Sequence, residues 1–183
     1  VSSHFDFFVK HNIDVEITNE YGPTENTVWS TVQKINVDEK VTIGKPIPGV
    51  NVYITDSEGQ LCAVGIPGEL VTGGKQVSRG YLNNPKLTAE KFVNDPFSKQ
   101  KGQRMYKTGD LAKWLTDGTI EYLGRIDDQV KIRGFRVEPG EIEAAILQSD
   151  LVMQAVVIAK EDLQKTARLI AYIVPKQGYD PEQ

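Results

Sequence analysis

GRIDDQVKIRGFRVEPGEIE, from Gly124 to Glu143, is densely charged yet keeps an apolar rhythm that a disordered charge run would lack. Val130 and Ile132 alternate with Lys131 and Arg133; Gly134 then shifts the phase, so that Phe135 and Val137 carry the apolar face against Arg136 and Glu138. A period of two, interrupted at a glycine, predicts two short strands. Pro139 stands where a first helical turn accepts proline, and Glu141 and Glu143 lie near the positive end of the helix dipole, so a helix starts there. Taken alone, the stretch could equally be a solvated β-ribbon feeding a surface helix.

Downstream, Ile142, Ala145 and Ile146 form one helical stripe, and Val152–Ile158 and Leu169–Val174 are apolar runs of strand length. These elements predict a small α+β unit. Its boundary with what precedes falls near Asp127, where no Gly/Ser linker intervenes, so a hinge of one or two residues is expected.

Upstream the pattern is β. In RMYKTGDLAKWLTDGTIEYLGR, strands are expected at Met105–Lys107, Leu111–Leu115 and Thr119–Leu123, with a corner at Gly109-Asp110 and a hairpin turn at Asp117-Gly118. Asp110 could accept two hydroxyls of a sugar or cap its own turn. Asn84 and Pro85 predict the start of a short helix, with Leu87, Ala89 and Phe92 facing inward. Between Val28 and Val71, alternation at Val50, Val52 and Ile54 and many Gly/Pro corners predict a small barrel or folded sheet. Gly73 and Gly74 look like a phosphate cradle, but no Lys-Ser or Lys-Thr follows, so they read as a turn or bulge. Near the N-terminus a strand at Val15–Thr18 leads into a loop, Asn19–Asn26, punctuated by Gly22-Pro23. Tyr21, Thr24 and Glu25 in that loop could stack a base, bond a phosphate and hold a metal, or merely decorate a turn.

A chain of 183 residues, 39% hydrophobic and 25% charged, is ordinary for a globular protein. A net charge of −4, with basic residues interspersed among acids, disfavours a nucleic-acid or anionic-membrane partner. Cys62 is the only cysteine, which excludes an internal disulfide and suits a reducing, cytoplasmic setting. There is no apolar run of membrane-spanning length. The start at Val1 leads us to expect a segment of something longer.

Four motifs occur in order: NEYGPTEN, GELVTGGKQVSRGYLNNP, YKTGDL and GRIDDQVKIRGFRVEPGEIE. From about Asn19 onward the chain thereby resembles the adenylate-forming enzyme superfamily, and within it the adenylation domain of nonribosomal peptide synthetases. The resemblance implies a β-rich α+β fold: the end of an α/β subdomain carrying the nucleotide loop (1–40), a small distorted β-barrel subdomain (41–126), and a hinge with part of a small α+β lid subdomain (127–183). It implies activation of an amino or other carboxylic acid by ATP and magnesium. The acyl group then passes to the phosphopantetheine thiol of a peptidyl carrier protein, among neighbouring synthetase domains.

By the same resemblance, Tyr21 stacks on adenine with Gly22 beside it at the nucleotide, and Thr24 bonds the α-phosphate. Glu25 holds magnesium, Asp110 accepts the ribose hydroxyls, and Arg125 lies at the nucleotide. Asp127 is the hinge, and Lys131, Arg133, Gly134 and Phe135 line the pantetheine path. Glu20, Val28 and Trp29 fall where the family lines its acyl pocket; Glu20 would pair with a polar or cationic substrate group, or else point to solvent. The family's phosphate loop, pocket aspartate and C-terminal lysine have no counterpart in these residues. The expectation is therefore a truncated or interrupted domain, inactive by itself. An acyl-CoA or aryl-CoA ligase, or a non-catalytic module derived from the family, remain the alternatives.

Overall fold

The computed structural model describes residues 8, 10, 11, 13, 15–36, 39–127, 129–132, 135–161 and 167–176. Contacts divide the chain into two units, Val1–Ile126 and Asp127–Gln183.

In the first unit strand β1, Thr18–Tyr21, runs antiparallel to β2, Thr31–Lys34, which in turn pairs with β3, Lys45–Pro46. A strand ending at Thr18 and a loop from Asn19 were expected. Asn and Glu are poor strand formers, but here the ladder from Thr18↔Lys34 to Tyr21↔Thr31 outweighs intrinsic preference, and the loop starts only at Gly22.

Five more strands follow: β4 (Val50–Thr55), β5 (Gly68–Gly74), β6 (Phe92–Asn94), β7 (Arg104–Trp114) and β8 (Ile120–Arg125). They form one antiparallel sheet in the order β4-β5-β7-β6, with β8 also paired to β7. The alternation read in β4 holds, with Val50, Val52 and Ile54 buried and Asn51 exposed. Ile43, Leu70, Ala112 and Ile120 complete this core, with Tyr21, Ile47, Cys62 and Trp114 packed against it. The Ile43 amide donates to the Ile120 carbonyl at 3.0 Å and Gly44 bridges to Ile120, which joins the strip after β2 to β8 and curls the sheets around that core. The fold is thus β-rich α+β, as the motifs implied. Gly73 and Gly74, expected at a turn or bulge, close β5 instead. Gly73 pairs with Asn51 and Met105, and Gly74 takes φ +106° at the strand end.

The corner expected at Gly109-Asp110 is a bulge inside an eleven-residue strand. Register with β5 jumps from Val71↔Lys107 to Leu70↔Asp110, leaving Thr108 and Gly109 unpaired, with Gly109 at φ +73°. The Thr108 hydroxyl donates to the Leu70 carbonyl at 2.6 Å and the Gly109 amide donates to Glu69 Oε1 at 3.0 Å, so the bulge is held from both sides. Before it, β7 pairs with β6; after it, β7 pairs with β8, and Asp110 comes opposite Arg125. The Asp117-Gly118 hairpin is present, Gly118 at φ +79° and the Leu115 amide donating to Thr119 at 2.8 Å. Helix α1, Pro85–Lys91, starts where Asn84 caps the Leu87 amide at 3.1 Å.

In the second unit, β9 (Val130–Ile132) pairs antiparallel with β10 (Phe135–Val137), in register Phe135↔Ile132. Gly134 and Arg133, the expected break between them, lie outside the described residues. Helix α2, Pro139–Ile146, starts at the proline as read from sequence; Ile142 and Ile146 are half-buried, while Ala145 is exposed. Strands β11 (Val152–Glu161) and β12 (Ala167–Pro175) form an antiparallel pair. Glu143 on α2 accepts the Val157 amide of β11 at 2.7 Å, tying helix to strand. No helix among the described residues is long and apolar enough to cross a membrane.

Candidate functional site

Gly22 leaves β1 and the chain doubles back on it. A Cβ there would meet Trp29 Cα at 2.3 Å and the Val28 carbonyl oxygen at 2.5 Å, so only glycine fits. The Ser30 amide donates to the Tyr21 carbonyl at 2.7 Å and closes the loop. After Pro23 a single 3₁₀ turn, Thr24–Asn26, buries Glu25 and Asn26 and leaves Thr24 exposed. Thr27 and Val28 then take φ of 54° and 73°, a region in which a β-branched residue is strained by about 1–2 kcal/mol. That strain presents Val28, 76% exposed, and Trp29, 39% exposed, on the surface. The Thr27 hydroxyl bonds the Gln76 carbonyl at 2.7 Å and the Ser78 amide bonds the Glu25 carbonyl at 2.8 Å, which anchors the loop to the segment after β5.

Two carboxylates mark this site. Asp110, 7% exposed, accepts the Tyr21 hydroxyl on Oδ2 and an Arg125 guanidinium N–H on Oδ1 at 2.9 Å, while Arg125 also donates to the Thr108 carbonyl at 2.9 Å. Its side chain therefore serves neighbouring strands, not its own turn. A carboxylate has about four acceptor positions, and two are used. Burial, then the negative charge of Asp110, hold the Tyr21 phenol pKa well above its ordinary value. The Tyr21 ring lies 6.4 Å from that of Tyr122.

Glu25, 7% exposed, is the second carboxylate. Its Oε1 accepts both the Tyr81 hydroxyl at 2.7 Å and the Tyr106 hydroxyl at 2.8 Å. Strand β7 thus serves both carboxylates, with Tyr106 reaching Glu25 and Asp110 reaching Tyr21. Tyr81, Tyr106 and Thr108 were not singled out from sequence; their signal was their place inside the RGYL and YKTGDL motifs.

Among the described residues no three His, Cys, Asp or Glu side chains gather as a metal cage. Glu25 suits a hard cation that takes its other ligands from phosphate and water, as magnesium does. In sum, the loop and β7 bring together an exposed hydroxyl, an aromatic ring and two buried carboxylates. This set suits recognition of a sugar and phosphates, and it contains no nucleophile–base pair.

Glu20 is exposed and accepts the Thr18 hydroxyl at 3.5 Å. Asp127 is the first residue of the second unit and its Oδ1 accepts the Gln129 amide at 3.3 Å. Phe135 in that unit is 73% exposed, and Lys131 lies in β9.

Comparison with known proteins places these features in context. Residues 2–82 match the AMP-binding enzyme family and residues 141–183 the AMP-binding enzyme C-terminal domain. The chain is 53% identical over 167 residues to gramicidin S synthase 2 of Aneurinibacillus migulanus, covering 91% of this chain and 4% of that protein. It is 54% identical over 169 residues to tyrocidine synthase 3 of Brevibacillus parabrevis, covering 91% of this chain and 3% of that protein. Among solved structures, holo-PA1221, an NRPS protein containing adenylation and PCP domains bound to a vinylsulfonamide inhibitor, superposes with a TM-score of 0.82 at 28% identity, over 100% of this chain and 32% of that one. A four-domain nonribosomal peptide synthetase bound to AMP and glycine superposes with a TM-score of 0.58 at 38% identity, over 91% of this chain and 13% of that one.

Proposed function

We propose, from the premise that this chain belongs to the AMP-binding enzyme family, that it is part of an adenylation domain of a nonribosomal peptide synthetase. In this reading the carboxylate oxygen of an amino or related acid attacks the α-phosphorus of ATP, pyrophosphate leaves, and an acyl-adenylate remains. The thiol of a carrier protein's phosphopantetheine then attacks the acyl carbonyl, and AMP leaves.

The observation that carries the reading is the meeting of Tyr21 and Asp110, 89 residues apart in the chain, with Arg125 on the same carboxylate. Arg125 and the bulge at Thr108-Gly109 fix Asp110, whose two remaining acceptor positions match the two hydroxyls of a ribose. Tyr21, at the end of β1, supplies a ring for adenine, and Gly22 lets the backbone pass close beside it. The exposed Thr24 hydroxyl donates to the α-phosphate. Glu25 would hold magnesium together with phosphate oxygens, where the ion supplies charge neutralisation during transfer. The protein's own share is positioning and fixed electrostatics, which require no protein nucleophile.

For the second half-reaction we assign Asp127 as the hinge, since the division between the two units falls between Ile126 and Asp127. Lys131, Arg133, Gly134 and Phe135 would line the pantetheine path. Val28 and Trp29, held outward by the strained loop, would line the acyl pocket with Glu20. The unpaired thiol of Cys62 accords with a cytoplasmic enzyme.

The test offers the activated acid two acceptors, a holo carrier protein and free coenzyme A, to the complete adenylation domain containing this chain. Radiolabelled acid appearing on the carrier supports the reading. Acyl-CoA formation without carrier loading would identify a CoA ligase instead.

A further inference from the structure

Nothing in the proposed reaction gives a part to the two phenols that converge on Glu25. Both hydroxyls reach the same oxygen, Oε1, at 2.7 and 2.8 Å, and lie 3.3 Å from each other, so the three form a closed triangle at a carboxylate 7% exposed. They come from three separate elements: Glu25 from the 3₁₀ turn, Tyr81 from the segment before α1, and Tyr106 from β7.

Each phenol is itself braced. The rings of Tyr81 and Tyr106 pack on Phe92 at centroid distances of 5.3 and 5.1 Å, and the Arg104 guanidinium covers Phe92 at 5.7 Å. Arg104 also donates to the Ser78 and Arg79 carbonyls at 2.8 and 3.0 Å, drawing the segment that carries Tyr81 onto β7. The Tyr81 amide donates to the Thr88 hydroxyl at 2.9 Å. At the intervening Gly80 (φ +137°), a Cβ would meet Thr88 Cγ2 at 2.4 Å.

A glutamate side chain has three rotatable bonds and loses that freedom on ordering. Two donors on one oxygen fix the plane of the carboxylate and with it the position of Oε2. We infer that Tyr81 and Tyr106 are positioning residues that preset the Glu25 carboxylate for a divalent cation bound with the nucleotide. The inference rests on the proposed role of Glu25, and its test separates the two.

In the complete adenylation domain, Tyr81→Phe, Tyr106→Phe, the double variant and Glu25→Gln are compared by two readouts. One is equilibrium binding of Mn2+·ATP followed by electron paramagnetic resonance, beside binding of metal-free ATP. The other is the Mg2+ concentration giving half-maximal pyrophosphate exchange. The double variant should weaken Mn2+·ATP binding and raise the Mg2+ requirement, each by roughly ten-fold, leaving metal-free ATP binding unchanged. Each single variant should move both readouts in the same direction by less, which keeps the test decisive if the double variant does not fold. Adding the tyrosine changes to Glu25→Gln should cost nothing more, because they act through that carboxylate.

Equal losses for metal-bound and metal-free ATP, or losses that add to those of Glu25→Gln, would overturn the inference. A metal defect in Glu25→Gln with none in the tyrosine variants would also overturn it, while sparing the reading of Glu25. No metal defect in Glu25→Gln would overturn both.

Discussion

Replacing Asp110 with asparagine keeps the shape of the side chain and one acceptor oxygen but removes its charge. The Tyr21 hydroxyl can keep a partner, whereas Arg125, 2.9 Å from Oδ1, loses the charge of this carboxylate. The pair is largely shielded, with side-chain exposures of 20% for Arg125 and 10% for Asp110. A hydrogen bond to a charged group contributes roughly 1.5–3 kcal/mol, so a net loss of about 2 kcal/mol is expected. A domain of 150–250 residues shifts by roughly 3 °C per kcal/mol and a larger one by less, so the melting temperature of the complete domain falls by at most about 6 °C. Nucleotide binding should suffer separately. Two ribose hydroxyls that would meet a carboxylate meet an amide, so the affinity for AMP drops by roughly ten- to hundred-fold. Differential scanning fluorimetry gives the first quantity and isothermal titration with AMP the second, both on the complete adenylation domain. A lowered melting temperature with unchanged AMP affinity would reduce Asp110 to a strut for Arg125 and Tyr21. An unchanged melting temperature would show that the ion pair adds nothing to stability.

Gly22→Ala forces a methyl group to within 2.3 Å of the Trp29 backbone, so the loop must open; a loss of roughly 2–4 kcal/mol should appear in chemical denaturation, and a neutral result would refute the loop geometry. Val28→Gly removes a β-branched residue from φ 73° at a site 76% exposed, and the melting temperature should hold or rise by a few degrees, roughly 1 kcal/mol of released strain, while the acid profile changes; a clear fall in stability would contradict it. Alkaline titration should divide the seven tyrosines, because burial and Asp110 raise Tyr21, burial and Asp95 push Tyr53 up to about 12, and burial with Tyr106 and Glu25 raises Tyr81. Below about pH 10 folded and unfolded phenols are alike protonated and stability is flat; above it the unfolded chain loses protons that the folded chain keeps, so stability falls as pH rises. A single ultraviolet transition of all seven near pH 10 would refute the assignment.

Elements built by local pattern were legible in the sequence. The alternation of Val50, Val52 and Ile54, the Asp117-Gly118 turn, the Asn84-Pro85 helix start and the helix at Pro139 all depend on neighbours within a few residues. The bulge at Thr108-Gly109 was not, because a register shift depends on which strands lie on either side, and β7 exchanges β6 for β8 there. The extension of β1 through Tyr21 likewise came from its partner β2. At the site, Asp110 stood out as a carboxylate in a recognisable motif. Its bond to Tyr21, and the phenols on Glu25, join residues 56 to 89 positions apart. Such contacts follow from the assembled sheet, and no period or spacing in the chain announces them.

Tyr21, Thr24, Glu25, Asp110 and Arg125 are proposed to form the nucleotide side of an acid-adenylating site. This proposal is tested most directly by the exchange of labelled pyrophosphate into ATP, catalysed by the complete adenylation domain that carries this chain, with each candidate amino acid in turn. Exchange should require both an amino acid and Mg2+, and should fall by roughly a hundred-fold or more on Asp110→Ala. Exchange that persists at the wild-type rate in that variant, or no exchange with any acid offered, would contradict it.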